Sequence, residues 1–80
     1  MLINLHRLHS TLHANGDSRS THYSNVKAGL YTPPVLIGER SVAWPENEIE
    51  AINAARIAGK SKDEIRELVK KLVAARKSVA

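Results

Sequence analysis

Ser18-Arg19-Ser20-Thr21-His22-Tyr23-Ser24-Asn25-Val26-Lys27-Ala28-Gly29 is the stretch on which the fold turns. It follows Asn15-Gly16-Asp17, where Asn and Gly tolerate the positive φ of a chain reversal. Ser18 or Asp17 stands where a side-chain oxygen can accept from the free N–H groups of a helix start. At about 100° per residue, His22, Tyr23 and Val26 fall on one side of this helix. Ser20, Thr21, Ser24, Asn25, Lys27 and Ala28 fall largely on the other. Gly29 is placed just past the C-cap, where a left-handed residue ends a helix, and Leu30 folds back under the inner face. The result is a short helix whose outer face carries small polar groups.

Upstream, Leu5, Leu8 and Leu12 recur at helical spacing and predict a first helix over 4–13. With the second helix this makes a helix-turn-helix over 4–30. His6, His9 and His13 share that first helix. His9 and His13 have the i, i+4 spacing of a metal pair, but no cysteine or carboxylate completes a site, so a partly exposed face without metal is expected.

Downstream, Thr32-Pro33-Pro34 forces extended backbone. Val35-Leu36-Ile37 suits a strand, Gly38-Glu39-Arg40-Ser41 a turn, and Val42-Ala43-Trp44 a returning strand. This predicts a wing hairpin over 34–44, too small to stand without helices beneath it. Trp44, the single tryptophan, is assigned to the core. Pro45 reads as the first residue of a third helix over 45–58, with Glu46 and Glu48 at its positive end and Ile49, Ile52 and Ile57 as its large apolar groups. Ser61 and Glu64 form a capping box for a fourth helix over 61–77. Ile65, Leu68, Val69, Leu72 and Val73 give that helix an amphipathic stripe, with fraying expected after about Arg76.

Eighty residues make one domain with a thin stability margin, since a chain this short buries only about 60% of its unfolded surface. Cysteine is absent, so neither disulfides nor thiolate zinc brace it. No segment approaches the roughly 20 apolar residues of a membrane span, and the N-terminus lacks a signal-peptide pattern, so a cytoplasmic, nucleoid-associated protein is expected. The net charge is +4, divided as +2 in residues 1–44 and +2 in residues 45–80. That balance permits nucleic-acid binding without requiring it. No nucleophile elbow and no phosphate-binding glycine loop is present, so no enzyme activity and no cofactor is expected.

The fold class is therefore mainly α with a small β-hairpin, in the order helix-helix-hairpin-helix-helix, a winged helix-turn-helix. A helix entering the major groove needs short donors and acceptors near its N-terminus, which Ser18, Ser20, Thr21, Ser24 and Asn25 provide. Arg19 is placed for a guanine edge or a phosphate, and Lys27 for a phosphate. At the wing, Arg40 suits a minor groove or a phosphate, Gly38 allows close approach, and Ser41 adds a hydroxyl. Glu39 opposes a phosphate there, and either points away or pairs with Arg40.

The ordered set Ser18-Arg19-Ser20-Thr21, Tyr23, Lys27, Gly29, Pro34-Val35, Gly38, Arg40, Val42, Trp44-Pro45 and Glu48 resembles AlpA-type prophage regulators over about residues 5–57. Asp17 and His22 stand where that family usually has apolar residues. The resemblance implies a winged helix-turn-helix, similar to excisionases and MerR-type DNA-binding domains. It implies double-stranded DNA as partner, and a role as transcriptional regulator or excisionase-like architectural factor of a prophage or integrated element. A homodimer or a head-to-tail oligomer on DNA is compatible with it. The alternative is a small helical protein-interaction module that uses the fourth-helix stripe.

Overall fold

Residues 5–7 pair with residues 43–45, and this pairing organises the chain. The computed structural model describes residues 2–78. Strand β1 (Leu5–Arg7) leads into helix α1 (Leu8–Asn15), and helix α2 (Arg19–Lys27) follows the Gly16 turn. Strands β2 (Val35–Leu36) and β3 (Val42–Pro45) form the hairpin. Helices α3 (Glu46–Ile57) and α4 (Lys62–Ala75) complete the fold, with a 3-10 turn over Arg76–Ser78. The sheet is antiparallel in the order β1-β3-β2, with Leu5 opposite Pro45, Arg7 opposite Ala43, and Val35 also opposite Ala43.

The first helix thus begins at Leu8, not at residue 4. A two-stranded hairpin is marginal in water, and a third strand satisfies the open edge of β3. Ala43 and Trp44 are fully buried, as befits a central strand. Leu5 leaves the leucine stripe and is 48% exposed, whereas Leu8 packs against the core. His6 likewise leaves the face it was expected to share with His9 and His13. Its Nε2 meets Glu46 Oε1 at 3.0 Å and its Nδ1 meets Ser10 Oγ at 2.9 Å. His9 and His13 stay on α1 and are exposed.

Pro45 closes β3 in extended conformation and acts as the N-cap of α3, so that helix begins one residue later than expected. The Glu46 N–H donates to the Asn4 carbonyl at 2.7 Å, which ties the helix start to the segment before β1. Ile57 was expected inside and is 87% exposed. At about 100° per residue it lies roughly 80° from Ile49 and 140° from Ile52, off the buried stripe.

The core comprises Tyr31, Trp44, Ile49, Ile52 and Val69, with Leu8, Val26, Ile65, Leu68, Leu72 and Val73 packed against it. The α4 stripe is therefore occupied within the fold. Its capping box forms as the sequence implies: Ser61 Oγ accepts from the Glu64 N–H, and Glu64 accepts from the Ser61 N–H. Fraying was expected after about Arg76. Arg76 itself is anchored: its guanidinium grips Glu48 through Nε at 2.7 Å and Nη2 at 2.6 Å, and Nη2 also donates to the Pro33 carbonyl at 2.7 Å. The chain beyond Ser78 lies outside the described residues.

Candidate nucleic-acid interface

Ser18 caps α2. Its Oγ accepts from the Thr21 N–H at 3.2 Å, and its hydroxyl donates to Thr21 Oγ1 at 2.9 Å. Of the polar residues expected on this surface, Ser18 is thus engaged locally, while Thr21 keeps its own proton to donate. The helix ends in a left-handed glycine, Gly29, with φ of 79°. The Gly29 N–H bonds to the Val26 carbonyl at 3.2 Å and the Leu30 N–H to the Asn25 carbonyl at 2.8 Å, the paired reversal that stops a helix sharply.

Between these caps Arg19, Ser20, Thr21, Ser24 and Lys27 are all exposed. Asn25 is only half-exposed, on the flank of the helix. Tyr23, assigned by pattern to the inner side, is 39% exposed. It stands about 100° from His22, at the border of the buried stripe. Its ring is braced edge-on against His22 at 5.7 Å and Trp44 at 6.3 Å.

His22 fastens α2 to the sheet. It is fully buried, with ring centroids 4.5 Å from Trp44 and 4.8 Å from Tyr31. Neither ring nitrogen has a protein hydrogen-bond partner among the described residues. Asp17 meets Arg56 Nη1 at 3.1 Å and so ties the turn before α2 to α3. The Arg56 guanidinium also lies 5.8 Å from the Tyr31 ring.

Burial holds the His22 pKa below the ordinary imidazole value of 6.5. Asp17 opposes that shift, and Arg56 reinforces it. Unfolding therefore takes up a proton in mildly acid solution. The stability carried by neutral His22 is complete above about pH 6.5 and is lost as pH falls from there toward the depressed folded value. Urea unfolding should show the free energy declining between pH 7.5 and pH 5.5. His22→Leu should flatten that decline. An equal slope in the variant would assign the effect to other groups.

The wing turn comprises Gly38, Glu39, Arg40 and Ser41. The first three are exposed and Ser41 is half-buried. The Ile37 N–H donates to the Ser41 carbonyl at 2.9 Å and closes the loop. A Cβ placed on Gly38 would meet only Ser41, at 3.6 Å, so the fold itself does not require glycine there. Glu39 forms no ion pair with Arg40 among the described residues. One residue escaped the sequence reading: Arg7, expected within a helix, extends from β1 and donates to Ser41 Oγ at 2.8 Å. No local periodicity announces that contact.

The structure thus joins α2 and the hairpin through the His22, Tyr23 and Trp44 rings. Comparison with known proteins gives this assembly a family. The family model described as prophage CP4-57 regulatory protein (AlpA) matches residues 5–57. The chain belongs to the AlpA family of prophage regulatory proteins. The AlpA match begins at the first residue of β1 and ends at the last residue of α3, so it contains both α2 and the wing and excludes α4. An uncharacterized protein, ORF88 of Enterobacteria phage P4, is 39% identical over 56 residues, which is 70% of this AlpA-family chain and 64% of that protein. The matched region therefore spans less than two thirds of that relative's length. No solved structure matches the chain.

Proposed function

We propose that this AlpA-family protein binds double-stranded DNA, with α2 in the major groove and the wing on the adjacent backbone or minor groove. The observation that carries the reading is where the unpaired arginines lie. Arg56, Arg66 and Arg76, on or just after α3 and α4, each meet a carboxylate, at 3.1, 3.2 and 2.6 Å. Arg7, Arg19 and Arg40 meet none among the described residues, and they lie on β1, α2 and the wing. Guanidinium groups left without a carboxylate partner match a polyanion, and they sit beside a helix face of short hydroxyls that lets backbone approach bases.

In this reading Ser20, Thr21, Ser24 and Asn25 address base edges, with Ser18 as the cap that holds them. Arg19 reads a guanine or grips a phosphate. Lys27, Arg40, Ser41 and the Gly38 backbone hold the duplex in register. Bound in this way, the protein recruits or excludes transcription machinery, or bends attachment-site DNA toward excision, in the cytoplasm where that DNA lies. A palindromic site would mark a homodimer, and tandem direct repeats a head-to-tail oligomer. The competing protein-interaction reading needs the apolar stripe of α4, which this fold packs on its own core.

The test is selection of bound duplexes from a random pool, followed by mobility-shift titration of variants on the best site. Arg19→Ala should weaken that site by about 1–3 kcal/mol and relax preference at one position. Lys27→Ala should weaken all sequences alike and lower the salt slope by about 1. Affinity for the best site unchanged by Arg19→Ala would remove base readout from that residue.

A further inference from the structure

Arg7 is brought to the wing by the backbone. In β1 it stands opposite Ala43, and cross-strand partners share a sheet face. Long side chains on that face reach the diagonal neighbour two residues along, and Ser41 occupies that diagonal. Arg7 Nη2 donates to Ser41 Oγ at 2.8 Å, while the Ser41 carbonyl accepts from the Ile37 N–H at 2.9 Å. The hydroxyl is thus fixed at the root of the loop that carries Arg40.

A guanidinium has five N–H donors and no acceptor. Arg7 commits one to Ser41, is exposed, and meets no carboxylate among the described residues. Ser41 Oγ, accepting from a cation, keeps its own proton to donate outward. Glu46, which follows β3, is held by His6 Nε2 at 3.0 Å and Asn4 Nδ2 at 3.3 Å, and Glu39 of the wing turn forms no ion pair with Arg7 among the described residues. His6 points to the opposite face from Arg7, because successive strand residues alternate. The pair presents one positive charge and several donors to solvent at a single point. Oxyanions of phosphodiester type match that pattern, through charge-assisted and often bidentate bonds.

We infer that Arg7 and Ser41 form a phosphate clip at the root of the wing, a backbone contact additional to α2 and Arg40. The clip rests on the DNA-binding reading and extends its footprint to the N-terminal strand. Arg7 supplies the charge, and Ser41 the hydroxyl that Arg7 orients.

The test is fluorescence-anisotropy titration of the full chain with a labelled duplex across a salt series. The variants are Arg7→Ala, Arg7→Gln, Ser41→Ala and the Arg7→Ala/Ser41→Ala double, with thermal unfolding of each to verify the fold. Arg7→Ala should lower affinity about tenfold at low salt and reduce the salt slope by about 0.9. Arg7→Gln, which keeps a long donor side chain but no charge, should show the same loss of slope even if Arg7→Ala disturbs β1. Ser41→Ala should lower affinity while leaving the slope intact, and the double variant should bind no more weakly than Arg7→Ala. Duplex binding by the unsubstituted chain, with wild-type affinity and slope in both Arg7 variants, would overturn the clip and leave the DNA-binding reading standing. Absence of salt-dependent duplex binding in the unsubstituted chain would overturn both.

Discussion

Arg76→Ala is expected to cost about 3–5 kcal/mol of folding stability, as breaking one side of a buried ion pair does. Glu48 is only 1% exposed, and Arg76 supplies both hydrogen bonds to its carboxylate, at 2.6 and 2.7 Å. Removing the guanidinium strands a carboxylate in the interior and frees the Pro33 carbonyl. A domain of this size holds roughly 4–12 kcal/mol in all, so the loss takes a large part of the total. Replacing both partners with methionine should recover most of it, because two packed apolar groups leave no charge uncompensated. Urea unfolding followed by circular dichroism measures both variants. A single variant within about 1 kcal/mol of wild type would show that the pair contributes little to the fold.

Trp44→Ala should be comparably severe, about 3–5 kcal/mol, for a different reason. The indole is fully buried, and its Nε1–H donates to the Thr32 carbonyl at 2.8 Å. Truncation opens a cavity and leaves that carbonyl unpaired. The same indole is the surface on which His22 and Tyr23 rest, so α2 also loses its seat on the sheet. Duplex affinity should therefore fall together with stability. Trp44→Phe should retain more of both, because it keeps apolar volume and gives up only the donor and part of the ring. Denaturation midpoints and anisotropy titrations on one set of samples would show whether the two quantities move together.

What the chain announces in advance is set by neighbours in sequence. The Ser18 cap, the Gly29 stop and the Ser61–Glu64 capping box depend on residues at most a few positions apart, and all form where the pattern places them. The tryptophan core assignment follows from hydrophobicity alone. What escapes is long-range. Leu5–Arg7 reads as helix by periodicity, but β3 needs a partner and recruits it from 38 residues away, as in the pairing of His6 with Trp44. Arg76 finds Glu48 across 28 residues, a contact that no local pattern announces. Tyr23 lies at the margin of its helix stripe, where a shift of a few tens of degrees decides between core and solvent, and Ile57 lies off its stripe altogether. At the candidate interface, α2's outward polar residues were legible. Arg7 was not, because a strand and not a helix carries it to the wing.

One surface, made by α2 and the wing, should meet the duplex. Amide chemical-shift mapping of the labelled full chain during titration with a selected duplex tests it most directly. The expected result is perturbation concentrated at residues 18–27 and 38–41, with Arg7 beside them, fading as salt rises. Perturbation centred instead on Lys62, Lys70 and Lys71 of α4, with residues 18–27 unmoved, would contradict it.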